Sequence, residues 1–200
     1  MSIGDAEIKT QERVIRFFKD PEILGYQYIG NLSDYQNKNI KEDRLRQYLR
    51  LKGYADKLID AAVMQLQQEA GNLSRGVYDA NKTVYSRLKY GIPVSESPEK
   101  PPVTVELIDE ANPLNNDFAI AEEVTVVEQQ EKRPDLVVYL NGIAVAVIEL
   151  KRSSISVSEG IRQNLTNQKD SFIRGFLTTM QFCMAGNESE GLRYGTLLTG

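Results

Sequence analysis

The dipeptide Asn141-Gly142, placed between two apolar runs, constrains the fold more than any other feature of this sequence. The runs are LVVYL at 136–140 and IAVAVI at 143–148. A tight hairpin turn needs positive φ at its central residues, and Asn followed by Gly meets that need at little steric cost. Because the runs are almost wholly apolar, we expect a β-hairpin whose two strands are buried on both faces.

Charged residues flank this hairpin: Asp135 precedes the first strand, and Glu149 and Lys151 close the second. A strict two-residue turn pairs residues whose numbers sum to 283, as 141 and 142 do, which places Ile148 opposite Asp135 and turns Glu149 to the other face. A site that uses both carboxylates needs them on one face, which requires a sum of 284. We therefore predict a bulge, or a three-residue loop with Gly142 in a left-handed conformation, that shifts the sum to 284. Such a shift brings Asp135, Glu149 and Lys151 to one face.

These three side chains have the chemistry of a phosphodiesterase site. Two carboxylates can hold a divalent cation and leave positions for water and a phosphate oxygen, and the cation lowers the pKa of bound water. Lys151 can orient that water or neutralise charge that develops on the phosphate. The alternative is that an acid and a lysine two residues apart are solvated surface residues. The position of all three beside an apolar hairpin favours a site.

The composition excludes several other chemistries. The sequence has no histidine and one cysteine, Cys183, so it cannot form a Ser-His-Asp relay, a His-ligated zinc site or an intrachain disulfide. Cys183 lies in the run QFCMAG and is interpreted as a small buried apolar residue. The formal net charge of −4 argues against a general nucleic-acid coat protein, but not against a nuclease whose DNA binding is supplied by partners. No apolar run approaches the roughly 18 residues of a membrane span.

Helical periodicity appears twice before the hairpin. Apolar residues recur at three- and four-residue intervals over about 8–19 and again over 41–91, where Gly53, Gly71 and Gly91 divide the pattern into three predicted helices. Basic and aromatic residues concentrate at 41–57. They are interpreted either as the solvent-exposed face of an amphipathic helix or as a contact to a DNA backbone or another subunit.

The remaining elements follow from turn and cap signals. Five of the seven prolines fall within 93–113, which predicts loops that include a mobile segment. Strands are predicted at 23–29, 102–108, 118–127, 180–185 and 192–198, and a helix is predicted from the capping box of Ser156 and Glu159 to about 172. The order of elements predicts one α+β or mixed α/β domain over 1–200, with a helical insertion at about 41–91 and a core of about 102–200 plus the first helix.

The run RPDLVVYLNGIAVAVIELK at 133–151, followed by a helix that contains Gln163, resembles the nuclease core of the PD-(D/E)xK superfamily. More closely, it resembles the N-terminal domain of the R (restriction) subunit of type I restriction-modification enzymes. The resemblance is specific over about 130–200 and loose before that. It implies a restriction-endonuclease-like core, in which helices flank a central mixed sheet.

The resemblance also implies roles for individual residues. Asp135 and Glu149 would bind Mg²⁺, and Lys151 would be the catalytic lysine. An acidic residue on the first helix often completes such sites, and Glu12 is the best match, although a helix-surface glutamate fits that position equally well. Gln163 matches the glutamine of the family's Gln-x-x-x-Tyr motif and is expected to take part in catalysis. The tyrosine position holds Asn167, which puts the aromatic contribution in doubt.

The function implied is that of a cytoplasmic, Mg²⁺-dependent type I site-specific deoxyribonuclease of bacterial defence. Its partners would be duplex DNA and the methyltransferase and specificity subunits, with no membrane. ATP would serve a translocase motor elsewhere in the full-length protein, because no G-x-x-x-x-G-K-[ST] phosphate loop occurs here. We therefore expect the sequence to be the N-terminal part of a longer chain. Two alternatives stay open: a nuclease-fold docking module for the methyltransferase or motor, and a stand-alone DNA-processing nuclease.

Overall fold

The computed structural model describes residues 3–97 and 99–197, and these residues contain six α-helices and ten strands. The helices are α1 (Ile3–Lys19), α2 (Glu42–Leu51), α3 (Asp56–Gly71), α4 (Val77–Tyr90), α5 (Val157–Asn167) and α6 (Arg174–Leu177), with a 3₁₀ turn at Pro113–Asn115. The strands are β1 (Gln27–Asn31), β2 (Ile92–Val94), β3 (Val103–Val105), β4 (Phe118–Glu122), β5 (Val126–Val127), β6 (Glu131–Lys132), β7 (Leu136–Leu140), β8 (Ile143–Leu150), β9 (Phe182–Asn187) and β10 (Gly191–Gly195).

Six of these strands form a mixed sheet in the order β1-β4-β7-β8-β9-β10. The pairs β1·β4 and β8·β9 are parallel, whereas β4·β7, β7·β8 and β9·β10 are antiparallel. Parallel pairing of β8 and β9 requires a crossover, and α5 provides it. Helices flank the sheet, so the predicted mixed α/β class is confirmed.

The β7–β8 hairpin contains the predicted change of register. Asn141 and Gly142 have φ values of 52° and 82°, as a tight two-residue turn requires. The register shifts between Val138 and Tyr139. On the side away from the turn, Leu136 pairs with Ile148, which gives the sum of 284. The extra residue is Val145, which lies between the paired residues 144 and 146. The predicted bulge is confirmed, and it reverses the face to which the end of β8 presents its side chains.

The two faces of the sheet carry separate apolar clusters. Ile148 and Leu150 pack with Ile15 of α1 on one face. Val147 packs with Phe176 of α6 on the other, as alternation along a strand requires. Glu149 therefore points away from α1, toward the face on which α5 lies.

Helices α2, α3 and α4 and the β2–β3 hairpin form a third apolar cluster, which contains Leu45, Leu49, Ile59, Leu66, Val84, Ile92 and Leu107. This cluster also includes Ile143, the first residue of β8. The backbone N–H of Lys41 donates to the carbonyl of Gly142 at 2.7 Å. The three helices thus lie at the turn end of the β7–β8 hairpin. They match the three helices predicted over 41–91, and their separation from a catalytic core stays a prediction.

Some boundaries differ from the sequence predictions. The helix expected to reach 172 ends at Asn167, because the polar run 167–171 interrupts its apolar face, and the short α6 follows. The first strand lies at 27–31 rather than 23–29, since Ile23 belongs to a turn in which its N–H donates to the carbonyl of Asp20. The stretch 93–113 contains most of the β2–β3 hairpin, and its mobility stays a prediction, with Pro98 outside the described residues.

The last predicted strand is shorter than 192–198: β10 ends at Gly195, and residue 198 lies outside the described residues. Among the helices that the structure describes, none combines the length and the apolar composition that a membrane crossing requires.

Candidate active site

Asp135 and Glu149 meet at the open end of the β7–β8 hairpin. Continued by one residue, the register of 284 places Asp135 opposite Glu149, on the same face of the sheet. The backbone N–H of Leu150 donates to Asp135 Oδ2 at 2.6 Å, and the N–H of Glu123 donates to the Asp135 carbonyl at 2.8 Å. These two hydrogen bonds fix both the side chain and the backbone of Asp135 beside the end of β8.

Glu149 is wholly buried, with 0% of its surface exposed. Gln163 on α5 donates from Nε2 to Glu149 Oε2 at 2.7 Å. Gly160 lies one helical turn before Gln163, and a Cβ there would come within 2.9 Å of the Cβ of Ala185. The missing side chain lets α5 approach the sheet closely enough for Gln163 to reach Glu149.

Lys151 directly follows β8. Its backbone N–H donates to the carbonyl of Gly186 at 2.9 Å, which extends the β8–β9 ladder by one residue. Alternation along the extended strand places Lys151 on the face of Glu149, as the spacing predicts. The Lys151 side chain is partly exposed, whereas Glu149 is buried.

Glu12 lies elsewhere. It is exposed on α1, whose buried residue Ile15 packs on the face of the sheet opposite to Glu149. In residues 3–97 and 99–197, no group of three or more cysteine, aspartate or glutamate side chains lies close enough together to hold a metal ion. The candidate carboxylate ligands that the hairpin brings together are Asp135 and Glu149, and a metal-binding role for Glu12 stays a prediction.

Two further residues that the sequence marks, Cys183 on β9 and Asn167 at the end of α5, are buried. Cys183 on β9 is buried as expected, and burial, aided by the negative charge of Glu149, raises the pKa of its thiol to about 12. Asn167, at the family's tyrosine position, is only 3% exposed. An asparagine inside the protein replaces the aromatic side chain that the motif predicts there.

A polar network beside the site was not predicted. Gln11 of α1 donates to Glu122 Oε2 at 3.0 Å and to Glu123 Oε1 at 3.2 Å. The hydroxyl of Tyr28 donates to Glu122 Oε1 at 2.7 Å, and Arg133 pairs with Glu123 Oε2 at 2.9 Å. Burial, the hydrogen bond to Glu122 and the charge of that carboxylate raise the pKa of Tyr28 to about 12.

This network ties α1 to the backbone that carries Asp135. Glu123, whose N–H donates to the Asp135 carbonyl, has a φ of 50°, a left-handed conformation that is uncommon for a residue other than glycine. On the first helix, it is Gln11 rather than Glu12 that contacts acidic side chains near the site. The local sequence signal for this network is Arg133, which directly precedes Pro134-Asp135 and pairs with Glu123.

Four of the six basic residues of 41–57 are in ion pairs. The distances between nitrogen and oxygen are 2.6 Å for Arg44–Asp117, 2.5 Å for Arg46–Asp60, 2.9 Å for Arg50–Asp56 and 2.9 Å for Lys52–Asp109. Neighbouring carboxylates thus offset these four charges. The pairing favours a solvent-exposed helix face over a DNA-backbone contact.

Comparison with known proteins shows the family of this chain. A Methanocaldococcus jannaschii protein, named as the endonuclease subunit of the type I restriction enzyme MjaIXP, is 34% identical over 97 residues, which cover 44% of this chain. The match spans 9% of the length of that relative. The family model described as "Type I restriction enzyme R protein N terminus" matches residues 7–200. Because that match covers nearly the whole sequence, the chain belongs to the family of N-terminal domains of type I restriction enzyme R proteins.

Proposed function

We propose that this chain is the Mg²⁺-dependent endonuclease domain of a type I restriction enzyme R subunit, which hydrolyses phosphodiester bonds of unmodified foreign duplex DNA in the cytoplasm. The observation that carries the proposal is the bulge at Val145, which places Asp135 and Glu149 on one face of the sheet. Family membership supports the same function, since the chain belongs among R-protein N-terminal domains.

The donor set suits magnesium. Asp135 and Glu149 offer hard carboxylate oxygens and would hold the ion, since Mg²⁺ prefers oxygen ligands and is commonly bound through one or two carboxylates together with water and phosphate oxygens. A bound Mg²⁺ supplies charge stabilisation at the phosphate and lowers the pKa of a coordinated water. The wholly buried Glu149 suits this role, because a buried carboxylate is favoured when a cation or hydrogen bonds offset its charge.

The residues around the two carboxylates have distinct tasks. Gln163 donates to Glu149 Oε2 and thereby orients that carboxylate. The N–H of Leu150 orients Asp135 in the same manner. Lys151, partly exposed beside them, stabilises the negative charge that grows on the phosphate in the transition state, or orients the attacking water.

Recognition and movement belong to other parts of the assembly. We infer that the specificity subunit reads the DNA site, that the methyltransferase subunits test its modification, and that an ATP-driven motor elsewhere in the R subunit brings distant DNA to this domain. The net charge of −4 fits a domain to which partners deliver DNA.

A docking module for the methyltransferase or the motor is a second candidate function. The observation that favours it is a groove lined by three exposed aromatic side chains, Tyr78 and Tyr85 of α4 and Phe182 of β9. Exposed aromatic side chains in one groove are common at protein interfaces. This groove lies toward the turn end of the hairpin, so docking there is compatible with catalysis at the open end. The stand-alone nuclease has no comparable support.

The decisive experiment substitutes Asp135, Glu149 and Lys151 by alanine, one at a time, in the assembled enzyme with Mg²⁺ and ATP. Each variant should lose DNA cleavage by a factor of roughly 10²–10³, or about 3–4 kcal/mol of transition-state stabilisation. Assembly with the other subunits, ATP hydrolysis and DNA translocation should persist.

Near-normal cleavage by Glu149→Ala or Lys151→Ala would refute the nuclease proposal and favour the docking module. Loss of assembly together with cleavage would show instead that these residues are structural. Arg50→Ala, in an exposed ion pair on α2, serves as the control and should cleave like the wild type.

A further inference from the structure

The turn that joins β9 to β10, residues 187–190, contacts the connection that follows Lys151. Asn187 donates from Nδ2 to the carbonyl of Ile155 at 2.7 Å, and the hydroxyl of Ser189 donates to the carbonyl of Ser153 at 2.8 Å. Glu190 accepts from the N–H of Val157 at 3.1 Å and from the hydroxyl of Ser156 at 3.3 Å. This four-residue turn therefore contacts the 151–157 connection at residues 153, 155, 156 and 157.

Asn187 organises this turn. Its side chain is nearly buried, with 7% of the residue exposed, and its Oδ1 accepts from the N–H groups of Ser189 at 3.1 Å and Glu190 at 2.6 Å. One side-chain atom of Asn187 thus shapes the turn, while another holds the connection. A single amide couples the conformation of the turn to the position of the backbone after Lys151.

The turn is itself anchored on its other side. Glu188 accepts from the hydroxyl of Thr10 at 3.2 Å and pairs with Arg13 at 3.0 Å, both on α1. The connection, by contrast, is exposed at Ser153 and Ser154. Its rigidity therefore depends on contacts made from outside, since a short exposed loop has little packing of its own.

We propose that Asn187 and Ser189 are positioning residues that set the location of Lys151 by restraining the backbone that follows it. This inference rests on the proposed nuclease function. The β8–β9 ladder holds Lys151 from the preceding side, through its N–H bond to the Gly186 carbonyl, and the turn holds the chain from the following side. A lysine fixed at both sides keeps its ammonium group where transition-state charge develops, and a misplacement of about 1 Å can lower a rate by as much as about 10²-fold.

The test uses Asn187→Ala, Ser189→Ala and the conservative Ser189→Thr in the assembled enzyme. The control is Asn81→Ala, which also removes a buried asparagine amide from two backbone carbonyls, those of Thr178 and Met180, which belong neither to the 187–190 turn nor to the 151–157 connection. We expect Asn187→Ala to lower kcat for DNA cleavage about tenfold and Ser189→Ala about threefold, with KM for DNA unchanged. Ser189→Thr keeps the hydroxyl and should restore the wild-type kcat, and Asn81→Ala should lower Tm but not kcat.

A second measurement needs no catalysis. Trypsin should cleave after Lys151 and Arg152 faster in Asn187→Ala than in the wild type or in Asn81→Ala, because the connection is released. Unchanged trypsin cleavage would overturn the restraint, and faster trypsin cleavage with a normal kcat would overturn the link to Lys151. An equal loss of kcat in Asn81→Ala would reduce the effect to stability. If Lys151→Ala cleaves DNA like the wild type, the nuclease proposal itself fails, and the trypsin result still reports on the restraint.

Discussion

The two ends of the β7–β8 hairpin both bury polar side chains, but in different surroundings. At the turn end, Asn141 is wholly buried and its amide donates to the Leu107 carbonyl and to Asn116, each at 2.8 Å, while its Oδ1 accepts from the Asp117 N–H. At the open end, the equally buried Glu149 carries a carboxylate.

A neutral amide with matched partners costs little to bury, whereas a buried carboxylate is expensive. The turn end is therefore built for stability. The open end buries the carboxylate of Glu149, and buried ionisable groups are frequent at functional sites.

A substitution at the turn end should affect folding and leave catalysis at the open end unchanged. Gly142→Ala places a Cβ 2.6 Å from the carbonyl oxygen of Lys41 and 2.8 Å from the backbone nitrogen of Leu45, at a φ of +82°. We expect the free energy of unfolding, measured in urea, to fall by more than about 2 kcal/mol.

Gly53→Ala is the matched control, because Gly53 has a φ of +86° and open space around it. It should cost only about 1–2 kcal/mol. The folded fraction of Gly142→Ala should cleave DNA at the wild-type rate. A catalytic defect in that fraction would mean that the two ends are not independent.

At the open end, Gln163→Ala should produce the converse result. The substitution removes the donor at 2.7 Å from Glu149 Oε2 but leaves both proposed ligands in place, so we expect cleavage to fall by about tenfold rather than by the larger factor of a ligand variant. Tm should change little, since Gln163 is partly exposed. Its neighbour Arg162→Ala, in an exposed pair with Glu159, should cleave normally. A loss as large as that of Glu149→Ala would indicate that Gln163 itself contacts metal or substrate.

Lowering the pH should reveal the contribution of Asp109, which lies near the turn end through its contact with Asn116. Hydrogen bonds from Asn115, Lys52 and the N–H of Asn112 hold the pKa of Asp109 at about 2, below its ordinary 3.8. A carboxyl with a lowered folded-state pKa stabilises the fold above its unfolded-state pKa, and that contribution disappears as the pH falls from about 4 toward 2. Urea unfolding across this range should show a smaller loss of stability in Asp109→Asn than in the wild type. Equal pH dependence in the two proteins would contradict the assignment.

The sequence predicted those parts of this comparison that local rules determine. The Asn141-Gly142 turn follows from its need for positive φ. The bulge was predicted because a site that uses both Asp135 and Glu149 would need them on one face, and the register contains it. The start of α5 also follows, since the predicted cap Ser156 accepts from the N–H of Ser158. Each of these features depends on residues close in the chain.

The features that sequence analysis missed depend on distant contacts. Gln11 reaches Glu122 across 111 positions, and no local pattern marks that pair. The short α6 depends on Glu128, which accepts from the N–H groups of Gly175 and Phe176 and lies far before them in the sequence. The ion pairs of α2 likewise could not be distinguished from a DNA contact until Asp60 and Asp117 were located.

The smallest expected effects are those of substituting single arginines, Arg50 on α2 and Arg152 after β8. Arg50 pairs with Asp56, with side chains 56% and 72% exposed, so Arg50→Ala should change the free energy of unfolding by less than about 1 kcal/mol. If this face of α2 is exposed to solvent and does not contact DNA, the variant binds DNA in the assembled enzyme with the wild-type salt dependence. Arg152→Ala, immediately after Lys151, should instead reduce the log-log slope of affinity against salt by about 0.9, the value of one phosphate contact. Fluorescence anisotropy over a series of salt concentrations measures both slopes. A reduced slope for Arg50→Ala would reassign α2 to the DNA interface and remove the functional distinction between the two ends.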